Sequence, residues 1–256
     1  MNADEYDKLL QVETRHWFYS GKREIARYWL QRGGSLGLSD LLIDCGAGTG
    51  KFVEEMSHIC RAMALDDHLE SLAIAGKMLG ADRVIEGRCT ALPFPDNSLD
   101  ALTALDVLEH VDDDQLAVEE FHRVLKPGGR LVITVPALPL LWSDWDVVLH
   151  HHRRYTKTTL LALLDKSSFQ VIHWNYINVV ALPAVWLIRK LRYMADMFGF
   201  SASGRVEDSI PPAPLNGVLR WIFVKLACQT MIRFPAGVGL LGVWRKPGLP
   251  DKGAPP

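Results

Sequence analysis

Chemistry in this sequence concentrates in four short stretches. The first is Leu41-Leu-Ile-Asp-Cys-Gly-Ala-Gly-Thr-Gly50, where three apolar residues lead into an acid and then into glycines at every second place, Gly46, Gly48 and Gly50. Glycine at such places permits positive backbone angles and lets a small organic ligand lie against the main chain. The others are Asp106-Val-Leu-Glu-His110, the run Trp142-Ser-Asp-Trp-Asp146 with His150-His-His-Arg-Arg-Tyr155, and His16-Trp-Phe-Tyr19. His110, His151, His152 and Tyr155 are the candidate catalytic groups, because an imidazole or phenol can take a proton from a nucleophile that arrives protonated. Arg153 and Arg154 can pair with a substrate carboxylate or phosphate, or equally brace their loop against Asp144 or Asp146. His16, Trp17, Tyr19 and Trp142 are candidates to roof a substrate, with plain packing as the alternative. Three consecutive histidines share no face of a helix or strand, so no metal site is expected.

The elements that must carry these residues follow from periodicity. Two N-terminal helical pieces, one with Tyr6, Leu9 and Leu10 and one with Ile25, Tyr28 and Trp29, are expected to break at Ser20-Gly21. From residue 38 short apolar runs alternate with helical faces: strands at 41–43, 62–65, 83–86, 99–105 and 130–135, a sixth at 169–174 and a last at 237–244. Repeated strand and helix call for a parallel sheet covered on both faces. The stretch 183–235 departs from this alternation with two helical patterns rich in Leu, Ile, Trp and Arg. The expected organisation is helices in 1–34 over the site, a core in 35–182 and 236–246, a helical insertion in 183–235, and a disordered tail in 247–256.

Composition bounds the function. The chain has 256 residues, 48% of them hydrophobic, and a net charge of -2, so it can bury a large core and carries no electrostatic footprint for nucleic acid. Its four cysteines stand singly without metal-ligand spacing, and the N-terminus is acidic without an apolar leader, which reads as a reduced, cytoplasmic protein. The most apolar stretch, 219–244, is interrupted by Lys225, Arg233 and Pro235, which argues against a spanning helix. Its basic and apolar residues suit a lid over a hydrophobic substrate, a dimer contact, or peripheral contact with the inner face of a membrane.

Three ligands compete for the glycine loop. A mononucleotide loop needs a glycine at Cys45 and a Ser or Thr at Phe52, and a dinucleotide loop needs its third glycine at Lys51. The alternate glycines after Asp44 instead resemble the class I S-adenosylmethionine-dependent methyltransferases. Leu92-Pro-Phe-Pro-Asp-Asn-Ser-Leu-Asp100, Asp106-Val-Leu-Glu-His-Val111 and Arg123-Val-Leu-Lys-Pro-Gly-Gly-Arg130 resemble, in order, the later landmarks of the subfamily that carries LPF, LEHV and LKPGG. The segment 142–155 and the early His-Trp-Phe resemble methyltransferases of cell-envelope, lipid and polysaccharide biosynthesis.

The resemblance implies an α/β fold, a doubly wound, seven-stranded Rossmann-like sheet with its last strand antiparallel, the helical insertion falling between strands six and seven. It implies S-adenosylmethionine held by Asp44, Gly46, Ala47, Gly48 and Gly50, with Asp66 on the ribose and Cys89-Thr90 near the adenine. Asp67 can contact the cofactor or merely cap a helix, and Asp106 closes strand four beside cofactor and substrate. The implied function is methyl transfer to a small hydrophobic or lipid-like acceptor, O-methylation being slightly favoured, by in-line displacement that depends on positioning. The rivals are an NAD-dependent oxidoreductase and a catalytically silent, methyltransferase-like binding subunit.

Overall fold

The computed structural model describes residues 12–32, 36–197 and 210–248. Its centre is β1 (Leu41–Cys45), whose run Leu-Leu-Ile-Asp-Cys is buried on both faces, as a strand between two helical layers must be. Leu42 and Ile43 are both fully buried yet point to opposite cores, the pleat sending neighbours to opposite sides. Around it lie β2 (Arg61–Asp66), β3 (Val84–Glu86), β4 (Leu99–Leu105), β5 (Leu125–Pro136), β6 (Gln170–Ile177) and β7 (Gly239–Arg245). They form one seven-stranded sheet in the order β3-β2-β1-β4-β5-β7-β6, in which β7 runs antiparallel to both neighbours. The strand order reverses between β1 and β4, which opens a crevice at their carboxyl ends.

Helices close both faces. On one, α1 (Trp17–Gln31) and α2 (Lys51–Met56) bury Ile25, Trp29, Phe52 and Val53 against Leu42 and Val243. After β2, α3 (Leu69–Leu79) buries Leu72 and Ala75. On the other face α4 (Asp114–Val124) and α6 (Lys157–Lys166) pack Phe121, Leu160 and Leu164 against Ile43, Leu102 and Trp244. Between β5 and α6 sits the short α5 (Asp144–Val148), started by a capping box of Ser143 and Asp146. The expected insertion is two helices between β6 and β7, α7 (Leu182–Met197) and α8 (Ala213–Cys228).

Several expected boundaries move, each for a physical reason. The break at Ser20-Gly21 does not occur: α1 runs through it, because a side chain at Gly21 would meet Phe223 Cδ1 of α8 at 2.7 Å. The glycine is a point of close helix approach, and the chain bends at His16, whose Nδ1 accepts from the Phe18 N–H at 3.3 Å. Lys126-Pro-Gly-Gly129 belongs to β5, held by the Gly128 N–H donating to Lys246 O at 2.8 Å and the Lys246 N–H to Gly129 O at 3.0 Å. The first N-terminal helical piece, most of the linker after α7 and nearly all of the expected tail lie outside the described residues.

Candidate active site

The glycine loop leaves β1 and leans on β2: the Gly46 and Ala47 N–H groups both donate to Leu65 O, at 2.8 and 3.1 Å. Gly46 has φ +71° and a Cβ there would stand 2.5 Å from Val107 Cγ2, so conformation and space both require glycine. Gly48, at φ +53°, has nothing within 4 Å of where a Cβ would stand, so the loop leaves that face open. Its N–H donates to Asp66 Oδ2 at 2.9 Å, and the His68 N–H donates to Asp66 Oδ1 at 2.9 Å. The carboxylate at the end of β2 thereby spans two turns. Asp44, 4% exposed, accepts from the Thr103 hydroxyl at 2.5 Å; burial pushes its carboxyl up to about 7 in spite of that bond.

A cavity of about 430 Å³ extends from this loop along the carboxyl ends of the strands. Asp44, Gly46, Ala47, Gly48 and Thr49 line one end, His16, Tyr19 and Lys22 of the N-terminal segment one wall, and Asp106 its middle. Asp106 sits at φ +58° where β4 turns away, accepts from Thr134 Oγ1 at 2.8 Å, and pairs with the Lys22 ammonium. Burial alone would raise the Asp106 carboxyl; the Lys22 charge and hydrogen bond, with Thr134, bring it below the ordinary range.

At the far end Glu109, His110, His151 and Arg154 meet. Glu109 is fully buried, neither carboxyl oxygen has a hydrogen-bond partner, and burial followed by the Asp106 charge pushes it well up. The His110 and His151 rings cross edge to face at 4.7 Å, and burial and then the His151 charge hold the His110 imidazole below its usual value. Behind them the fully buried Asp146 accepts from Arg154 Nε at 2.7 Å and the Ser143 N–H at 2.9 Å, lies 2.9 Å from His151 Nδ1, and reaches Arg189 of α7 at 3.4 Å. Burial would raise its carboxyl, but His151 and Arg154 bring it to about 2.

The structure thus gathers Asp44, Gly46, Ala47, Gly48, Asp106, His16, Tyr19, His110, His151 and Arg154 round one cavity. Gly50 stands behind it as the left-handed cap of α2, and Asp66 beneath the loop. The remaining predicted residues lie apart from the cavity lining. Tyr155 is buried, its hydroxyl bonded to Asp114 Oδ2 at 2.7 Å and Leu108 O at 3.2 Å, and burial then Asp114 raise it far above the usual phenol. His152 Nε2 lies 3.3 Å from Asp112, Arg153 pairs with Asp114 at 2.9 Å, and Trp142 is 42% exposed. Trp17 packs edge to face on Phe223, 5.5 Å between ring centroids. Asp67 is exposed; Cys89 lies beside Cys45, and Thr90 follows it on the β3 side.

Lys22 and Glu109 are not among the residues that the sequence pattern singles out. Lys22 comes one helical turn after the aromatic run and reads as a helix-surface charge until α1 docks over β4. Glu109 sits inside the 106–111 motif beside His110, and its burial is not legible from the motif. Asp146 fills the bracing role expected for it toward Arg154 and also orients His151.

Comparison with known proteins agrees with this geometry. Residues 43–133 match the family described as a methyltransferase domain. A demethylmenaquinone methyltransferase of Renibacterium salmoninarum is 39% identical over 128 residues, 50% of this chain and 52% of that protein. One of Clavibacter sepedonicus is 31% identical over 144 residues, 54% of this chain and 56% of the relative. The chain therefore spans about half the length of the curated relatives it matches. Among solved structures, a methyltransferase in complex with the Haloferax volcanii Trm112 activator aligns at TM-score 0.62 and 18% identity over 96% of both chains. The geranyl diphosphate C-methyltransferase of Streptomyces coelicolor aligns at 0.58 and 14%, over 89% of this chain and 76% of that one. Over residues 43–133 the chain is thus similar to the methyltransferase-domain family, and its sheet has the fold of the solved methyltransferases with which it aligns.

Proposed function

We propose that this protein transfers the methyl group of S-adenosylmethionine to a small hydrophobic acceptor bound beyond Asp106. The residues present suit the cofactor: the Gly48 face is open where a side chain would intrude, and Asp44 offers a buried carboxyl to an ammonium group. Asp44 and the 46–49 backbone would hold the amino-acid end and Asp66 the ribose. When bound, the sulfonium supplies an electrophilic methyl. The chain's part is to align the acceptor with it and exclude water, the source of much of the rate in such displacements. His16, Tyr19 and Lys22 wall the acceptor region from the N-terminal side, and Glu109, His110 and His151 face it from the other.

The observation that carries this reading is the single cavity joining the glycine loop to that polar cluster. A hydrophobic acceptor is supported by a second cavity of about 290 Å³, lined by Trp17, Val180, Ala184, Ile222 and Leu226 beneath α7 and α8. Ile177 lines both, so an apolar tail can run from one toward the other. The methyl acceptor can be an oxygen, as slightly favoured above, or a carbon, as in the name of a ubiquinone/menaquinone biosynthesis C-methyltransferase of Escherichia coli that is 31% identical over 110 residues. In either case a carboxylate or imidazole beside it is suited to hold or take a proton.

Calorimetry with S-adenosylhomocysteine tests the cofactor half. Micromolar binding by the wild type and at least tenfold weaker binding by Asp66→Ala are expected; no binding by the wild type would sink the assignment. A radiolabelled-methyl screen of prenylated quinols, phenols and long-chain acids tests the acceptor half, and transfer only to short polar acceptors would count against it.

A further inference from the structure

The cluster at the far end of the cavity holds more than positioning alone requires. One donor atom each from Glu109, His110 and His151 lie within 4.8 Å of one another. Glu109 is fully buried and both of its oxygens lack a partner, a costly arrangement for a carboxyl with nothing to satisfy it. The His151 imidazole is oriented from behind, its Nδ1 lying 2.9 Å from the buried Asp146 carboxylate. Such backing, which fixes a ring and leaves its second nitrogen to coordinate, is what metal-bound histidines characteristically have. The two segments are also clamped together, the His152 N–H donating to Glu109 O at 2.7 Å.

We propose that Glu109, His110 and His151 bind one divalent first-row transition cation at the inner wall of the acceptor cavity. Two imidazoles and one carboxylate suit Zn²⁺, Mn²⁺ or Co²⁺ better than Mg²⁺ or Ca²⁺, which prefer all-oxygen shells. Bond lengths of about 2.0–2.2 Å require small side-chain rotations to close donors now spread over 4.8 Å. Asp106 and Asp146 add favourable charge nearby, while the opposing Lys22 and Arg154 are each already paired with one of them. The histidine run alone gave no such spacing; the site arises because His151 returns to meet the Glu109-His110 turn. Coordination positions left free would face the cavity and hold an acceptor oxygen. That last role rests on the proposed function, whereas the cation site does not.

The test uses the full chain, treated with chelator and measured without cofactor or acceptor. Calorimetry with Zn²⁺, and visible absorption with Co²⁺, should show one site per chain with micromolar or tighter affinity. Glu109→Gln and His151→Asn should each weaken it at least tenfold while leaving affinity for S-adenosylhomocysteine within about twofold. No saturable Zn²⁺ or Co²⁺ binding by the wild type overturns the inference, as does binding that both variants retain. Should both variants lose S-adenosylhomocysteine binding as well, the Co²⁺ spectrum of the wild type decides: bands of imidazole coordination support the site, and an aqueous spectrum overturns it. Failure of the methyl-transfer reading would appear in cofactor and acceptor binding and leave these cation measurements untouched.

Discussion

At the scale of the residue, Asp44 would couple the proposed cofactor site to pH. Its carboxyl is pushed up to about 7 by burial, so below that pH it is largely protonated in the folded protein, whereas the exposed group of an unfolded chain ionises near 3.8. Folding therefore favours the protonated form, and the protein loses that stabilisation as pH rises from about 4 to 7. Ligand binding has the opposite sign. An ammonium placed beside Asp44 favours the carboxylate, so affinity for S-adenosylhomocysteine should fall by up to about tenfold per unit as pH drops below 7. Asp44→Asn should bind weakly at all pH values and flatten the profile; a wild-type affinity constant between pH 5 and 8 would refute the coupling. Lys22 gives a second residue-scale prediction. Lys22→Met leaves the Asp106 carboxyl buried without its cation and should raise KM for the acceptor at least tenfold, with cofactor affinity changed much less, as separate titrations would read.

Elements decide whether these groups stay where they are needed. The segment between β5 and α6 converges on Asp146, which ties Ser143, His151, Arg154 and, through Arg189, the insertion helix α7. Asp146→Asn removes a fully buried charge from buried Arg154 and should destabilise the fold by about 3 kcal/mol. Thermal unfolding should register this as a Tm lower by roughly 6–12 °C. In β7, a Cβ at Gly242 would lie 1.9 Å from Trp244 Cη2, because the indole folds back over the glycine within the core. Gly242→Ala should cost about 2–3 kcal/mol by overpacking, and an unchanged midpoint in denaturant would show that the ring has room to swing. These two positions mark where sequence reasoning reached its limit. Period and turn chemistry made β1, β4 and the alternating helices legible, and the glycine triplet, Asp106 and His110 all pointed to residues that line one cavity or its edge. Gly21, Gly242, Lys22 and Asp146 draw their roles from segments distant in the chain, such as α8 over α1, and no local pattern encodes those contacts.

Over the whole molecule, the insertion proves to be two different things. α8 is part of the core: Phe223 and Ala227 are buried with Ile25 and Trp29, and Trp29 Nε1 donates to Ala227 O at 3.3 Å. Deleting the insertion would therefore unfold the site rather than merely unroof it. The outward surface of α7 and α8 is the separable part, presenting Trp186, Leu187, Leu191, Val218 and Trp221 at 47–64% exposure. Among the described residues no helix is long and apolar enough to cross a membrane. Single exposed apolar residues are ordinary, but five on the two helices that line a hydrophobic cavity suit a covering surface. If that is the interface from which an apolar acceptor is drawn, Leu191→Ser combined with Trp221→Ser should lower turnover of a vesicle-embedded prenylated acceptor about tenfold. A fold change of that size corresponds to about 1.4 kcal/mol of lost interfacial burial. Turnover of a short-chain soluble analogue should stay within about twofold, since neither residue lines the cavity at the glycine loop. Equal losses on both acceptors would assign the two side chains to the packing of α7 and α8, and no loss on either would leave the outer surface without a part in acceptor delivery.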